Sequence, residues 1–262
     1  MIGSWEPWLR IAAFVAVFVT MALWEVARPR RIQQLSRGSR WPSNIGIVVL
    51  DNLVVRLVIP MSAVGLATYV EAQAWGLFSN FGSTAASAIL GFLALDLAVY
   101  GQHVLFHYVP ALWRLHRMHH ADQEFDVTTG IRFHPIEVAL SLAIKYAVIA
   151  TLGVPAVAVF AFEVVLNATS MFNHGNVAIP PAWDRVLRYV LVTPDMHRVH
   201  HSIERRETNS NFGFNLPWWD RLFGTYIDQP VAGHDQMIIG IDRFRSEQEQ
   251  HLHNMLTQPF RD

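Results

Sequence analysis

Apolar runs long enough to cross a bilayer recur along this chain, and a hydrocarbon environment admits only helices or closed barrels. Residues 8–27 form the first run, matching the ~20 residues that span a bilayer core. Arg28, Arg30, Arg31, Arg37 and Arg40 follow it with no acidic residue among them. A signal peptide carries its charge ahead of the apolar stretch and ends at small residues, so this run reads as a retained first helix. The arginine excess puts the following loop on the cytoplasmic side and the N-terminus on the opposite side.

A second run covers residues 45–70 and is interrupted by Asp51, Asn52 and Arg56. These are expected to face protein groups or the interface, since a charge at mid-bilayer costs at least ~2.5 kcal/mol. After a loop with Glu71 and Gly82, a third run over 84–108 returns inward and carries His103 and His107 to its cytoplasmic end. Residues 110–133 are polar, basic and aromatic, and two shorter runs, 136–152 and 155–172, are joined by a reversal at Gly153-Val154-Pro155. Runs this short barely span a membrane at ~1.5 Å per residue, so a re-entrant hairpin competes with two crossings. Either way the chain ends on the side where it began. Lys145 and Glu163 stand where they can pair. Beyond residue 173 no run spans; residues 242–256 read as a surface amphipathic helix.

The fold class is therefore all-α: a polytopic membrane helical bundle of about four to five membrane helices with a cytoplasmic helical cap. With no linker or repeat, residues 1–262 read as a single domain: N-terminal membrane helices over 1–83, a histidine-rich region over 84–226 and a cytoplasmic tail over 227–262. Charged residues at 16% fall well below the about 25% of soluble domains. A net charge of −1 gives no reason to expect a nucleic-acid partner. Without cysteine, disulfides and thiolate ligands are excluded, and a transition metal must be held by nitrogen or oxygen.

Histidines supply that nitrogen. His103-x3-His107, His116-x2-His119-His120 and His197-x2-His200-His201 put eight imidazoles at helix-compatible spacings, and the topology collects all three clusters on one face. In the second and third clusters two residues share a helical face and one is turned by ~100°, able to reach a second ion. A structural zinc takes four ligands and a catalytic one three plus water, so this many point to two ions. Imidazole suits zinc, copper, iron and nickel alike; oxygen chemistry on inert lipid C–H bonds favours iron. His174 lies level with the clusters and reads as a further ligand. His134, before Pro135, reads as a supporting or structural residue, and His234, His251 and His253 as solvated polar residues. Asp122, Glu137 and Asp195 are candidates to orient ligand imidazoles through the second ring nitrogen, with helix capping the competing role of Asp195. Asp96 is an intramembrane candidate that either faces the site or serves as a hydrogen-bonding partner.

These motifs, with His134-Pro-x-Glu137, Asn173-His174-Gly and Asn211-Phe-Gly…Trp218-Trp-Asp-Arg-Leu-Phe-Gly224-Thr, resemble the fatty acid hydroxylase / sterol desaturase superfamily of integral membrane non-haem di-iron enzymes. The resemblance covers roughly residues 96–226. It implies two iron ions in a histidine cage, O2 as co-substrate, a lipid substrate in the membrane, and electrons from a separate reductase or cytochrome. It implies as ligands His103, His107, His116, His119, His120, His174, His197, His200 and His201, with Asn173 beside them. Some branches carry a further histidine four positions after the one matching His174; Ala178 stands there, leaving a tenth ligand to His134 alone. No haem-binding segment precedes the first helix, so a fused cytochrome is not expected. Hydroxylation, desaturation and carotenoid hydroxylation all fit such a cage. A membrane zinc protein, hydrolytic or structural, is the reading from another class, and zinc can fill a histidine-rich iron site in a purified sample.

Overall fold

The computed structural model describes residues 5–59, 61–82 and 84–262, and the regular elements among these are helical. In chain order they are α1 (Glu6–Ala27), α2 (Arg37–Val58), α3 (Ala63–Ala72), α4 (Ala85–Tyr108), α5 (Pro110–His120), α6 (Pro135–Leu152), α7 (Ala156–Asn173), α8 (Pro181–Leu187), α9 (Pro194–His200), α10 (Arg205–Thr208), α11 (Trp218–Phe223), α12 (Gly233–Gln236) and α13 (Leu252–Thr257). Five stretches are long and apolar enough to cross a membrane: α1, the stretch from α2 through α3, α4, α6 and α7.

Four of the apolar runs emerge as helices within two residues of their expected ends. The run at 45–70 does not remain one helix. It starts earlier, at Arg37 behind the N-cap Ser36, and stops at Val58; α3 restarts behind Ser62, whose hydroxyl accepts from Gly65 N at 3.0 Å. Pro60, which lacks the N–H that continues a helical ladder, stands between them in sequence. The expected helix over 242–256 is also absent as a unit. Only a 3-10 turn over Glu247–Gln250 and α13 form there, because Gln250 is pinned inward to Arg132 Nη1 (2.7 Å) and the Ala121 carbonyl (3.2 Å).

α4 begins with a reciprocal capping box in which Thr84 and Ser87 each bond the other's backbone N–H. Its apolar side packs with α3, α6 and α7 through Leu95, Val99, Leu142, Ile149 and Phe162, with Phe92 edge-on to Phe162 at 5.3 Å. Lipid tails are as apolar as these side chains, so close packing, not escape from water, holds the faces together. Lys145 and Glu163 do pair, at 3.1 Å, and Arg10 of α1 joins them at 2.5 Å, tying three helices through one buried carboxylate. Gly153 ends α6 at φ +67°, where any Cβ would lie 2.3 Å from the Trp75 carbonyl.

The cap is fastened to the bundle by buried charges on the first two helices. Glu25, in the last turn of α1, accepts from Val127 N (2.7 Å) and Asn176 N (2.9 Å). Arg40, in the first turn of α2, bonds Asp122 through two nitrogens (2.6 and 2.7 Å) and Asp126 through a third (2.7 Å). Burial raises both carboxyls, but Arg40, joined by Arg132 at Asp122 and by Thr128 and Gln33 at Asp126, holds them below the ordinary carboxylate range. These contacts fix the loops that flank the second histidine cluster and His174.

Candidate metal centre

The nine histidines converge from four helices. α4 contributes His103 and His107, α5 contributes His116, His119 and His120, the end of α7 leads to His174, and α9 carries His197 and His200 with His201 just past its end. They sort into two buried groups, His103–His107–His116–His120–His200 and His119–His174–His197–His201, with one nitrogen from each residue lying within 4.8 Å of the others in its group. The sorting follows helix geometry. His116 and His120 share a face and a group, as do His197 and His201, while His119 and His200, turned away by ~100°, join the opposite group.

Hydrogen bonds at the outer nitrogens fix the tautomers. His103 Nδ1 donates to the Phe212 carbonyl (2.7 Å), His119 Nδ1 to that of Arg132 (3.2 Å), His174 Nδ1 to that of Ser170 (2.7 Å) and His200 Nδ1 to that of Ser210 (2.7 Å). His116 Nδ1 donates to Glu137 Oε1 at 2.6 Å. A carbonyl or carboxylate oxygen only accepts, so each Nδ1 carries the proton and each Nε2 is a bare lone pair. Those lone pairs face one another: His103 to His116 Nε2 at 3.0 Å, His119 to His174 Nε2 at 3.1 Å. Two acceptors at that distance repel, and a cation between them reverses the sign. The Nε2 atoms of His107, His120 and His200 are likewise buried with no protein partner. Burial, reinforced by neighbouring imidazoles, holds His119, His120, His197 and His201 well below the ordinary imidazole range; burial lowers His200 in the same way, and His174 to about 3. A buried set of neutral nitrogen donors, oriented by carbonyls and one carboxylate, fits transition-metal ions at two adjacent positions.

The supporting residues divide differently. Glu137 contacts a cage imidazole directly; Asp122 does not, and instead organises Arg40, Thr129 and Asn44 beneath the second cluster. Asp195 turns to Arg30 (3.2 Å) and Arg198, and the N-cap of α9 is taken by Thr193, whose hydroxyl accepts from Met196 N at 3.4 Å. Asp96 accepts from Trp219 Nε1 at 2.7 Å, and Asn173 donates to the Phe214 carbonyl at 2.9 Å. His134 stands outside both groups. Its Nδ1 accepts from Ile136 N (3.2 Å) and its Nε2 donates to the Leu256 carbonyl (3.3 Å), so both nitrogens are used in starting α6 and holding the tail. His251 and His253 are exposed as expected, but His234 is buried, 3.7 Å from Asp195, because the tail folds back over the cap.

Asn209, whose Oδ1 meets His107 Nδ1 at 3.2 Å, was not signalled by spacing. The Asn211-to-Thr225 motif has a physical role. Asp220 accepts from the N–H groups of Phe212 and Gly213 (both 2.8 Å) and from Thr225 (2.7 Å), shaping the loop whose carbonyl holds His103. Gly130 allows another close approach, since a Cβ there would lie 2.4 Å from the Ser170 carbonyl that orients His174.

Beside the cage, α4, α5 and α6 border an open apolar groove of about 390 Å³ lined by Gln102, Leu105, Phe106, Leu112, Leu140 and Ile144 among others. Phe106 forms its inner wall and stacks on His116 with ring centroids 5.8 Å apart. The volume lies within the ~300–1,000 Å³ typical of ligand pockets.

The chain is 32% identical over 146 residues to an ornithine lipid hydroxylase of Rhizobium tropici, covering 56% of this chain and 43% of that protein. It is 30% identical over 150 residues to the alkylglycerol monooxygenase of Homo sapiens, covering 57% and 32% respectively. A very-long-chain aldehyde decarbonylase of Oryza sativa subsp. indica is 25% identical over 202 residues, 74% of this chain and 29% of its own. The alignments thus span less than half the length of these relatives. No solved structure matches significantly. The sequence profile described as fatty acid hydroxylase matches residues 88–225, over half of the chain and every histidine of both groups, and the chain belongs to that family.

Proposed function

We propose that this protein is an O2-dependent membrane hydroxylase that inserts one oxygen atom into a C–H bond of a fatty-acyl, sterol-like or ether lipid. His103, His107, His116, His120 and His200 hold one iron ion, and His119, His174, His197 and His201 hold the other. The observation that carries this reading is the pair of buried histidine clusters, each with bare Nε2 lone pairs facing one another, next to an apolar groove bordered by α4 and α6. The names of the hydroxylase and monooxygenase relatives support oxygen insertion ahead of desaturation.

Iron bound in the cage would supply the activation of dioxygen and the cleavage of the C–H bond. The chain's own residues do the rest. Glu137 and the four carbonyls keep the imidazoles in one tautomer and orientation. Complete burial of the donors excludes water, and the groove holds a lipid chain against Phe106, one ring away from His116. The net change, R–H + O2 + 2 electrons + 2 protons to R–OH + H2O, needs electrons from outside, and a separate reductase or cytochrome delivers them. The arginine excess between α1 and α2 supports a cage on the cytoplasmic face with the N-terminus across the membrane.

Untargeted lipid mass spectrometry of cells expressing the wild type or a His200→Ala/His201→Ala variant tests this. A lipid heavier by one oxygen should appear with the wild type only. Loss of two hydrogens instead would identify a desaturase, and unchanged lipids from cells whose anaerobically purified protein carries iron would sink the proposal. Zinc as the sole ion in such a preparation would favour the hydrolytic or structural reading.

A further inference from the structure

The segment after the third histidine cluster does not stay above the membrane helices. Its contacts step in one direction along two of them. The Phe212 carbonyl meets His103, and the Phe214 carbonyl meets Asn173 at the end of α7. Asn215 then bonds Thr169, one turn back along α7, and Trp219 Nε1 donates to Asp96, seven residues before His103 on α4. Seven residues are about 10 Å of helix rise. From there α11 runs back along α4 toward the cage, with Phe223 stacked on Tyr100, three residues before His103, at 5.5 Å.

The segment that directly follows α8 is drawn to the same place. Val192 N donates to the Asn215 carbonyl (3.0 Å), Trp218 Nε1 to that of Tyr189 (2.7 Å) and Arg221 to that of Arg188 (3.1 Å). The outward side of the pair exposes Trp183, Val186, Tyr189, Val190, Trp218 and Leu222, with Trp183 at 66% and Leu222 at 69% of full exposure. α11 packs on α4 at Asp96 and Tyr100, and the neighbouring Leu97 of α4 is itself exposed. Arg185 and Arg221 are exposed at its border, and the Arg221 guanidinium lies 4.2 Å from the Tyr226 ring centroid. Aromatic rings and arginines bordering an aliphatic face mark helices that lie in a membrane interface.

We infer that α8 and α11 form an interfacial foot. Their apolar faces sit among the lipid chains of the leaflet nearest the cage, and Arg185 and Arg221 reach up to the phosphate headgroups. The packing of α11 on α4, a helix long and apolar enough to cross a membrane, selects the bilayer as the occupant of this face. The inference stands apart from the reaction catalysed, and its test involves no turnover.

The chain has no cysteine, so Val190→Cys and Leu222→Cys each accept a single bimane fluorophore. The full chain is reconstituted in phosphatidylcholine–phosphatidylglycerol vesicles, with Leu23→Cys on the exposed side of α1 as the lipid reference and Val231→Cys, 93% exposed in the cap, as the water reference. Probes at 190 and 222 should match position 23: quenched by phosphatidylcholine brominated on its acyl chains and resistant to aqueous iodide. Iodide quenching equal to that at position 231, without bromolipid quenching, would overturn the inference. Protection from both quenchers would overturn it as well, in favour of a protein partner or a second copy of the chain.

Discussion

Glu137 does for His116 what backbone carbonyls do for His103, His119, His174 and His200, and it is the one of these acceptors that a substitution can remove. Glu137→Gln keeps an oxygen near Nδ1 but discards the negative charge that strengthens the imidazole as a ligand. Metal affinity should fall by ~10–100-fold, read by competition with a chelator, while the helical circular dichroism stays that of the wild type. Equal affinity in the two proteins would deny Glu137 this role. The carboxylate was legible in the sequence because it sits near a histidine cluster and close behind Pro135. The carbonyls were not, since every residue carries one and only the folded loop decides which four point at imidazoles. Asn209 was hidden for a related reason: nothing in its spacing from His200 marks it as the partner of His107, on a different helix.

At the scale of helices, length and apolarity gave α1, α4, α6 and α7 their positions, because the hydrocarbon thickness sets a minimum length for each of them. α2 was harder to read. Its first two turns are polar and look like loop, yet Arg40 and Asn44 are fully buried there, bonded to Asp122, Asp126 and Thr128 beneath the second cluster. An arginine counted for its side of the membrane thus proves to be the bolt between bundle and cap. Arg40→Met leaves the buried Asp126 without its guanidinium and Asp122 with only Arg132, 3.9 Å away, for which a cost of ~3–5 kcal/mol is expected. A denaturation midpoint lowered to match would bear this out, and Arg40→Lys should recover only part, because an ammonium cannot bridge both carboxylates with a rigid fork. A midpoint unchanged in Arg40→Met would show that the cap is held elsewhere.

Over the whole molecule the tail, read from sequence as solvated, wraps the cap and buries His234 beside Asp195, Arg198 and Arg30. Burial holds that imidazole down to about 4 despite the attraction of Asp195. In the unfolded chain it takes up a proton near ~6.5, so the unfolded state gains protons first as pH falls. This contribution to stability is complete above pH ~6.5 and drains away as the pH drops toward about 4. Denaturation midpoints of metal-loaded protein, measured across that window, should fall less steeply for His234→Gln than for the wild type; identical slopes would mean that His234 gains its proton without unfolding.

The division of the cage into two groups also has a direction in time. As the chain is synthesised, His103, His107, His116 and His120 all exist by residue 120, four of the five donors of one group, whereas the other group has His119 alone until His174 and is completed only by α9. The first position can be assembled by a nascent chain whose last two membrane helices have not yet been made. The second has its full donor set only after those helices and α9 have been made, so a metal ion there would be taken up late in the biogenesis of the protein.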